Sequence, residues 1–296
     1  MINKITEQQN PNSQDIDKKN ILGILHVINN EDQKVANSVR LSIPFIETFV
    51  TNVIDSFKNH GRLIYIGSGT SGRLGILDAS ECPPTYSVTP DLVQGIIAGG
   101  KDAVFRSIEN AEDNERTAID EIKSMNINPN DSVLGITASS KAAFVMAALK
   151  EAKKAGAFIG LLVCNNIEKP KFVDILIEAP VGPEIITGST RMKAGTATKL
   201  ILNMITTTAM IKMNKTYGNL MVDLRAWNQK LWDRGTGIIS LLCGLSQAES
   251  LNLLVKCDGE VKTAVVINKL NISVESARQL LAENEGSLRK VIDPAQ

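Results

Sequence analysis

Histidine is nearly missing from this chain, with two residues in 296, His26 and His60. His26 falls in an apolar helical stretch and His60 just before the first strand-like run. That scarcity argues against Ser-His-Asp catalysis and histidine-rich metal sites, and leaves acid–base work to carboxylates or lysines. Cysteine is equally thin. Cys82, Cys164, Cys243 and Cys257 are widely scattered with no CxxC pair, which points to neither a disulfide framework nor a zinc knuckle. No run of about 18 apolar residues exists to form a transmembrane helix. Residues 1–20 lack the apolar centre of a secretion signal, so the cytoplasm is the expected compartment. Charge of one sign is also lacking: Lys+Arg and Asp+Glu are both 32. That balance gives no support to a nucleic-acid or membrane-surface partner, and no helix-turn-helix pattern or basic face accompanies it.

What remains is an ordinary soluble composition, 43% hydrophobic, in a chain long enough for one large domain or one with a small appendage. Residues 1–20, rich in Asn, Gln, Asp and Ser, read as an extended or mobile arm. Helical periodicity follows to residue 59, with a possible break at Pro44. Strand-like runs at 62–66, 92–98, 131–137, 158–163 and 174–178 alternate with helical stretches at 71–79, 102–125 and 142–155. The first of these helices is expected to stop at Cys82-Pro83-Pro84. A long helix is expected over 190–213, and only helices from 235 onward. This alternation predicts an α/β fold, a doubly wound parallel sheet flanked by helices, with ligand loops at the carboxyl ends of the strands. The expected divisions are an N-terminal arm and helices (1–58), a central α/β domain (59–234) and a small C-terminal helical domain (235–296).

The chemistry concentrates in three hydroxyl-rich turns. At the end of the first strand stands Gly67-Ser68-Gly69-Thr70-Ser71-Gly72-Arg73. Glycines admit an anion close to the backbone, and a helix start supplies free N–H groups and positive dipole. The Gly-x-Gly-x-x-Gly spacing also matches a dinucleotide fingerprint, but the required acidic residue is badly placed: Asp91 follows Pro90 and precedes its strand. A phosphate monoester held by Gly69, Thr70, Ser71, Gly72 and Arg73 fits better; a plain tight strand–helix turn is the bland alternative. The second turn offers Thr137, Ser139 and Ser140. The third, 182–196, offers Glu184, Ser189, Thr190, Arg191 and Lys193, with Thr190 able to cap the following helix; exposed cations beside a capped helix would look the same. Glu81, ahead of two prolines, and Glu112, in the charged run 107–113, would each pass for solvated surface carboxylates by chemistry alone.

Several long stretches resemble the N-acetylmuramic acid 6-phosphate etherase family, whose fold is the sugar isomerase (SIS) domain: IGSGTSGRLGILDASECPPTYSV (66–88), GIIAGGKDAV (95–104), ENAEDN (109–114), GPEIITGSTRMKAGTATKLILNM (182–204) and YGNLMVD (217–223). The resemblance covers almost the whole chain. It implies cleavage of the lactyl ether at C3 of a muramic acid 6-phosphate, giving N-acetylglucosamine 6-phosphate and D-lactate, with no metal or redox cofactor. Glu81 then matches the proton donor to departing lactate and Glu112 the second catalytic glutamate, plausible as the base at C2. At least one of the two is expected to have a raised pKa. The three turns would hold the sugar 6-phosphate. Glu81 lies ten residues past Ser71, about 15 Å along a straight helix. Either the helix ends early and the chain folds back, or Glu81 serves a site shared across a homodimer, the reading favoured. One stretch departs from the family pattern: Ala-Ser-Gly-Arg-Thr-Pro-Tyr-Val is replaced by Ala138-Ser139-Ser140-Lys141-Ala142-Ala143-Phe144-Val145, which puts substrate affinity or substituent preference in question. The glucokinase regulatory protein is a more distant relative of the same type, so a non-catalytic sugar-phosphate-binding regulator is a competing reading. A sugar-phosphate isomerase is a third.

Overall fold

The computed structural model describes residues 4–293. By packing, the chain divides into two compact units, one running to Ser80 and over Pro90–Thr206, the other made of Glu81–Thr89 and the chain from Thr207 onward.

The first unit is built on five parallel strands: β1 (Leu63–Gly67), β2 (Val93–Ile97), β3 (Ser132–Ile136), β4 (Phe158–Val163) and β5 (Ile175–Glu178), in the order β2-β1-β3-β4-β5. Each predicted strand is present to within a residue or two. β1 and β3 are buried at every position, as their continuous apolar text requires of strands covered on both faces. Strand order reverses beside β1: β2 lies on one side and β3 on the other. In such sheets the crevice for a ligand opens at the carboxyl ends of the two strands at the switch.

Helices α1 (Ile21–Asp32), α2 (Val35–Leu41) and α3 (Ile43–Lys58) precede the sheet, and Pro44 sits in the first turn of α3, where its missing N–H costs nothing. α4 (Gly69–Tyr86) does not stop before Cys82. It runs through Pro83 and Pro84, which lie in its last turn, and ends at Ser87, a left-handed residue (φ 51°) whose N–H reaches the Pro83 carbonyl. Asp78 of α4, buried among polar groups, accepts from Tyr65 Oη (2.9 Å) and Asn203 Nδ2 (2.7 Å).

The expected helix 102–125 is broken. α5 (Asp102–Phe105) ends at an extended Arg106, and α6 (Glu115–Ser124) begins only after the Asn114 side chain caps it through the Thr117 N–H. Arg73 causes part of this interruption: its guanidinium donates to the carbonyls of Val104 (3.0 Å) and Arg106 (3.1 Å). Between the halves, Asn110 is left-handed and Ala111–Asp113 forms a single 3-10 turn. α7 (Ala143–Lys154) follows β3. α8 (Lys193–Lys212) starts three residues later than expected, and Thr190 is not its cap: the amides of Lys193 and Ala194 both donate to the Glu184 carboxylate at 3.0 Å.

The N-terminal arm is not loose. Thr6, Asn10 and Ser13 are buried, and Asn10 Nδ2 donates to Glu31 Oε2 (2.9 Å) and the Pro183 carbonyl (3.0 Å). The polar composition that reads as mobility supplies buried hydrogen-bond partners instead.

The second unit packs α9 (Gln229–Cys243), α10 (Gln247–Lys256), α12 (Val274–Glu283) and a short α13 (Leu288–Ile292) around α11 (Val261–Leu270), which is buried from Val261 to Ile267. Lys262 on α11 is buried with its ammonium group satisfied by the carbonyls of Asn214 (2.8 Å) and Gly286 (2.7 Å) and by Asp223 (3.2 Å). Among the described residues no single helix is long and apolar enough to cross a membrane.

Candidate active site

A cavity of about 160 Å³ opens at the carboxyl ends of β1 and β3. Its wall is made by Ser68–Ser71 from the β1–α4 turn, Thr137–Ser139 and Ala142 from the β3–α7 turn, Thr190 from the segment before α8, and Glu112.

The first turn needs its glycines for space as much as for flexibility. A Cβ on Gly67 would lie 2.5 Å from the Gly72 nitrogen, and one on Gly72 would lie 2.6 Å from Ile97 Cγ1. Gly69 is left-handed (φ 52°) and opens α4. The first amides of α4 have no intrahelical acceptors, so they and the positive end of the helix face the cavity. The Ser68 hydroxyl is buried there with no hydrogen-bond partner among the described residues. α7 begins at the same cavity, and Ala142 at its start supplies no side-chain cap. Two helix N-termini lacking a side-chain acceptor therefore meet in a hydroxyl-lined hollow, an arrangement suited to a phosphate-sized anion.

Glu112 sits on the 3-10 turn opposite this cradle. The residue is exposed, yet its carboxyl is partly desolvated at the cavity wall; that burial, with Asp113 alongside, pushes its pKa above the ordinary 4.5. The expectation of a carboxyl with a raised pKa thus falls on Glu112. An adjoining hollow of about 150 Å³ shares Ser68, Gly69 and Glu112 and adds Arg73, Arg106 and Ile108. Glu112 stands between the two.

Gly69, Thr70, Ser71, Ser139, Thr190 and Glu112 are brought together. Gly72 is buried beneath the turn, and Arg73 spends its guanidinium on the 104–106 carbonyls. Ser140, left-handed at φ 60°, turns its hydroxyl to Lys4 (2.9 Å). Ser189 donates its N–H to the Ile186 carbonyl, and Arg191 is exposed. Glu184 is fully buried as the acceptor for the start of α8. Burial pushes its pKa up, against the two amides that favour its charged form. Lys193 is 1% exposed and its ammonium pairs with Glu31 at 2.7 Å. Glu81 is exposed on the fourth turn of α4. Ser68 was not among the residues expected at the site; its position directly before Gly69 in the turn is the signal that marks it. Among the described residues there is no cluster of three or more His, Cys, Asp or Glu side chains able to hold a metal ion.

A doubly wound parallel sheet with an anion cradle at its switch point defines the class as an α/β phosphate-binding fold, and similarity to known proteins narrows it to the SIS type. Residues 45–153 match the glucokinase regulatory protein N-terminal SIS domain family. The fold is also similar to that of an E. coli CFT073 protein solved with a bound ligand, with a TM-score of 0.50, 17% identity, and 68% of this chain and 97% of that one covered. Full-length similarity is much closer elsewhere. The N-acetylmuramic acid 6-phosphate etherase of Clostridium beijerinckii is 47% identical over 291 residues, 98% of this chain and 96% of that protein. That of Oceanobacillus iheyensis is 48% identical over 292 residues, covering 98% and 99%. The chain belongs to the N-acetylmuramic acid 6-phosphate etherase family.

Proposed function

We propose that this protein cleaves the D-lactyl ether of N-acetylmuramic acid 6-phosphate by elimination and hydration, releasing D-lactate and N-acetylglucosamine 6-phosphate. The observation that carries the reading is a carboxyl with a raised pKa, Glu112, set across a 160 Å³ cavity from a cradle of two helix N-termini. The cradle takes the 6-phosphate through the amides of the 68–71 turn and the hydroxyls of Thr70, Ser71 and Ser139. In the open-chain sugar, C2 is adjacent to the aldehyde, so its proton is within reach of a carboxylate base. Glu112 takes that proton. The C3–O bond breaks, Glu81 protonates the departing lactate oxygen, and a C2–C3 double bond forms. Water then adds at C3 and a proton returns to C2.

Glu81 and Ser71 share the unbroken helix α4, which places them about 15 Å apart along its axis. No early helix end shortens that span. The pair therefore serves different copies of the cavity, and the working form is a homodimer in which each chain lends Glu81 to the other's site. Mixing inactive Glu81→Ala protein with inactive Ser71→Ala protein restores activity if this is so; exchanged heterodimers that stay inactive rule it out.

The decisive assay is D-lactate release from N-acetylmuramic acid 6-phosphate with a chelator present, lost in Glu81→Ala. Substrate binding without lactate release would instead favour a sugar-phosphate-binding regulator, the reading to which the glucokinase regulatory protein match lends weight. Ketose formation without lactate would indicate an isomerase.

A further inference from the structure

The arm ahead of α1 is tied to two of the four segments that line the cavity. Lys4 donates from its ammonium group to the Ser139 carbonyl and, at 2.9 Å, to Ser140 Oγ. Asn165, just after β4, donates to Thr6 Oγ1 (3.0 Å) and to the Ala138 carbonyl (2.7 Å), and accepts from the Thr6 N–H (3.3 Å). Further along, Ser13 Oγ donates to the Ile185 carbonyl (2.7 Å). Asn10 and Asn12 both donate to Glu31, whose other partners are Lys34 and the buried Lys193 at the start of α8.

The consequence for the β3–α7 turn follows from peptide geometry. A trans peptide directs its N–H opposite to its C=O. With the Ala138 carbonyl held by Asn165, the Ser139 N–H is turned away from the arm, and Ser139 lines the cavity. The next residue, Ser140, occupies a left-handed conformation that a side chain disfavours. Its hydroxyl and the carbonyl before it are the two groups that Lys4 grips.

We propose that residues 4–13 form a strap that presets the 137–140 loop for the phosphate, with Lys4 as its positioning residue. The strap replaces what a glycine at 140 would supply for free. Lys4 acts through the loop: its ammonium fixes the carbonyl of Ser139 and the hydroxyl of Ser140, so the loop meets an anion already ordered. The inference rests on the sugar-phosphate reading of the cavity.

Calorimetric titration of the full chain with N-acetylglucosamine 6-phosphate tests it. Lys4→Met should weaken binding about tenfold, the worth of a charged hydrogen bond. Lys4→Arg, which can serve both acceptors, should recover most of that loss. In a Ser140→Gly background Lys4→Met should cost no more than about threefold, because the two changes act on one loop. Wild-type affinity in Lys4→Met, or an equal loss in the Ser140→Gly background, overturns the proposal. Amide hydrogen exchange without ligand separates the strap from the cavity reading. If the wild type binds no sugar phosphate, the ligand assignment fails; the strap then stands only if Lys4→Met speeds exchange at 138–141 while β1 and β3 stay protected. Unchanged exchange there refutes it.

Discussion

The turns at 67–72 and 137–140 face the same cavity and are held in shape by opposite means. The first is fixed locally, by missing side chains: Gly67 and Gly72 leave no room for a Cβ, and Gly69 takes a left-handed conformation at no steric cost. The second carries side chains throughout, including a left-handed serine, and is held from a distance by Lys4 and Asn165. Both turns read as hydroxyl-rich phosphate loops. The first is set mainly by its own glycines, with Ile97 of β2 closing on Gly72, and the second adds distant side chains to its own Ser140 N–H to Thr137 carbonyl bond.

On the function proposed above the turns bind and the carboxylates carry the chemistry, and the largest expected effect tests this division. Glu112→Gln should cut lactate release roughly 10²- to 10⁴-fold, the range for losing a general base, while N-acetylglucosamine 6-phosphate still binds. The raised carboxyl pKa puts the acid limb of the wild-type rate profile above pH 4.5, since only the ionised form accepts a proton. A variant that loses binding instead would place Glu112 in the cradle. Next in size is the ion pair that anchors the strap's far end. Glu31 and Lys193 are 4% and 1% exposed, so Lys193→Met takes the buried partner from a buried carboxylate that keeps Lys34, Asn10 and Asn12, and should cost about 1–3 kcal/mol in urea unfolding. Burial raises the Glu31 pKa, but hydrogen bonds from Lys193, Lys34, Asn12 and Asn10 outweigh it and bring the value to about 2. Its contribution is therefore complete above the ordinary 4.5 and is lost as pH falls through about 2. Acid unfolding that is identical in wild type and Lys193→Met would show that the pair does not carry this dependence.

The sheet and the first turn were legible because their signals are local. Apolar runs of five or six residues ending in glycine or a hydroxyl mark β1 and β3, and the spacing of Gly67, Gly69 and Gly72 marks the cradle. What stayed hidden depends on partners far along the chain. The break in the helix at 102–125 that delivers Glu112 on a short turn is held in part by Arg73 reaching the 104 and 106 carbonyls, some thirty residues on. Glu184 and Lys193 stand in a stretch rich in donors and acceptors, and nothing in its text tells that one caps α8 and the other meets Glu31. The polar arm looked loose because asparagine and serine are common in loose segments; here they are buried against carbonyls and a carboxylate.

The finest test of the contrast compares one glycine and one serine. Gly67→Ala drives a methyl against the Gly72 nitrogen, where backbone rather than a flexible side chain must move. It should destabilise the protein by about 1–3 kcal/mol, as overpacking does, and weaken sugar-phosphate binding with it. Ser140→Gly should have the opposite sign. It relieves a left-handed residue of its Cβ at a cost in unfolded-chain entropy, and the balance is a gain of no more than about 1 kcal/mol. Chemical denaturation of the two variants reads both numbers. A gain from glycine at 140 beside a loss from alanine at 67 separates a turn shaped by its own backbone from one shaped by its neighbours. Equal losses would mean that Ser140 is locked by contacts of its own hydroxyl strongly enough to outweigh its conformation, and the two turns would then differ in sequence but not in how firmly they are built.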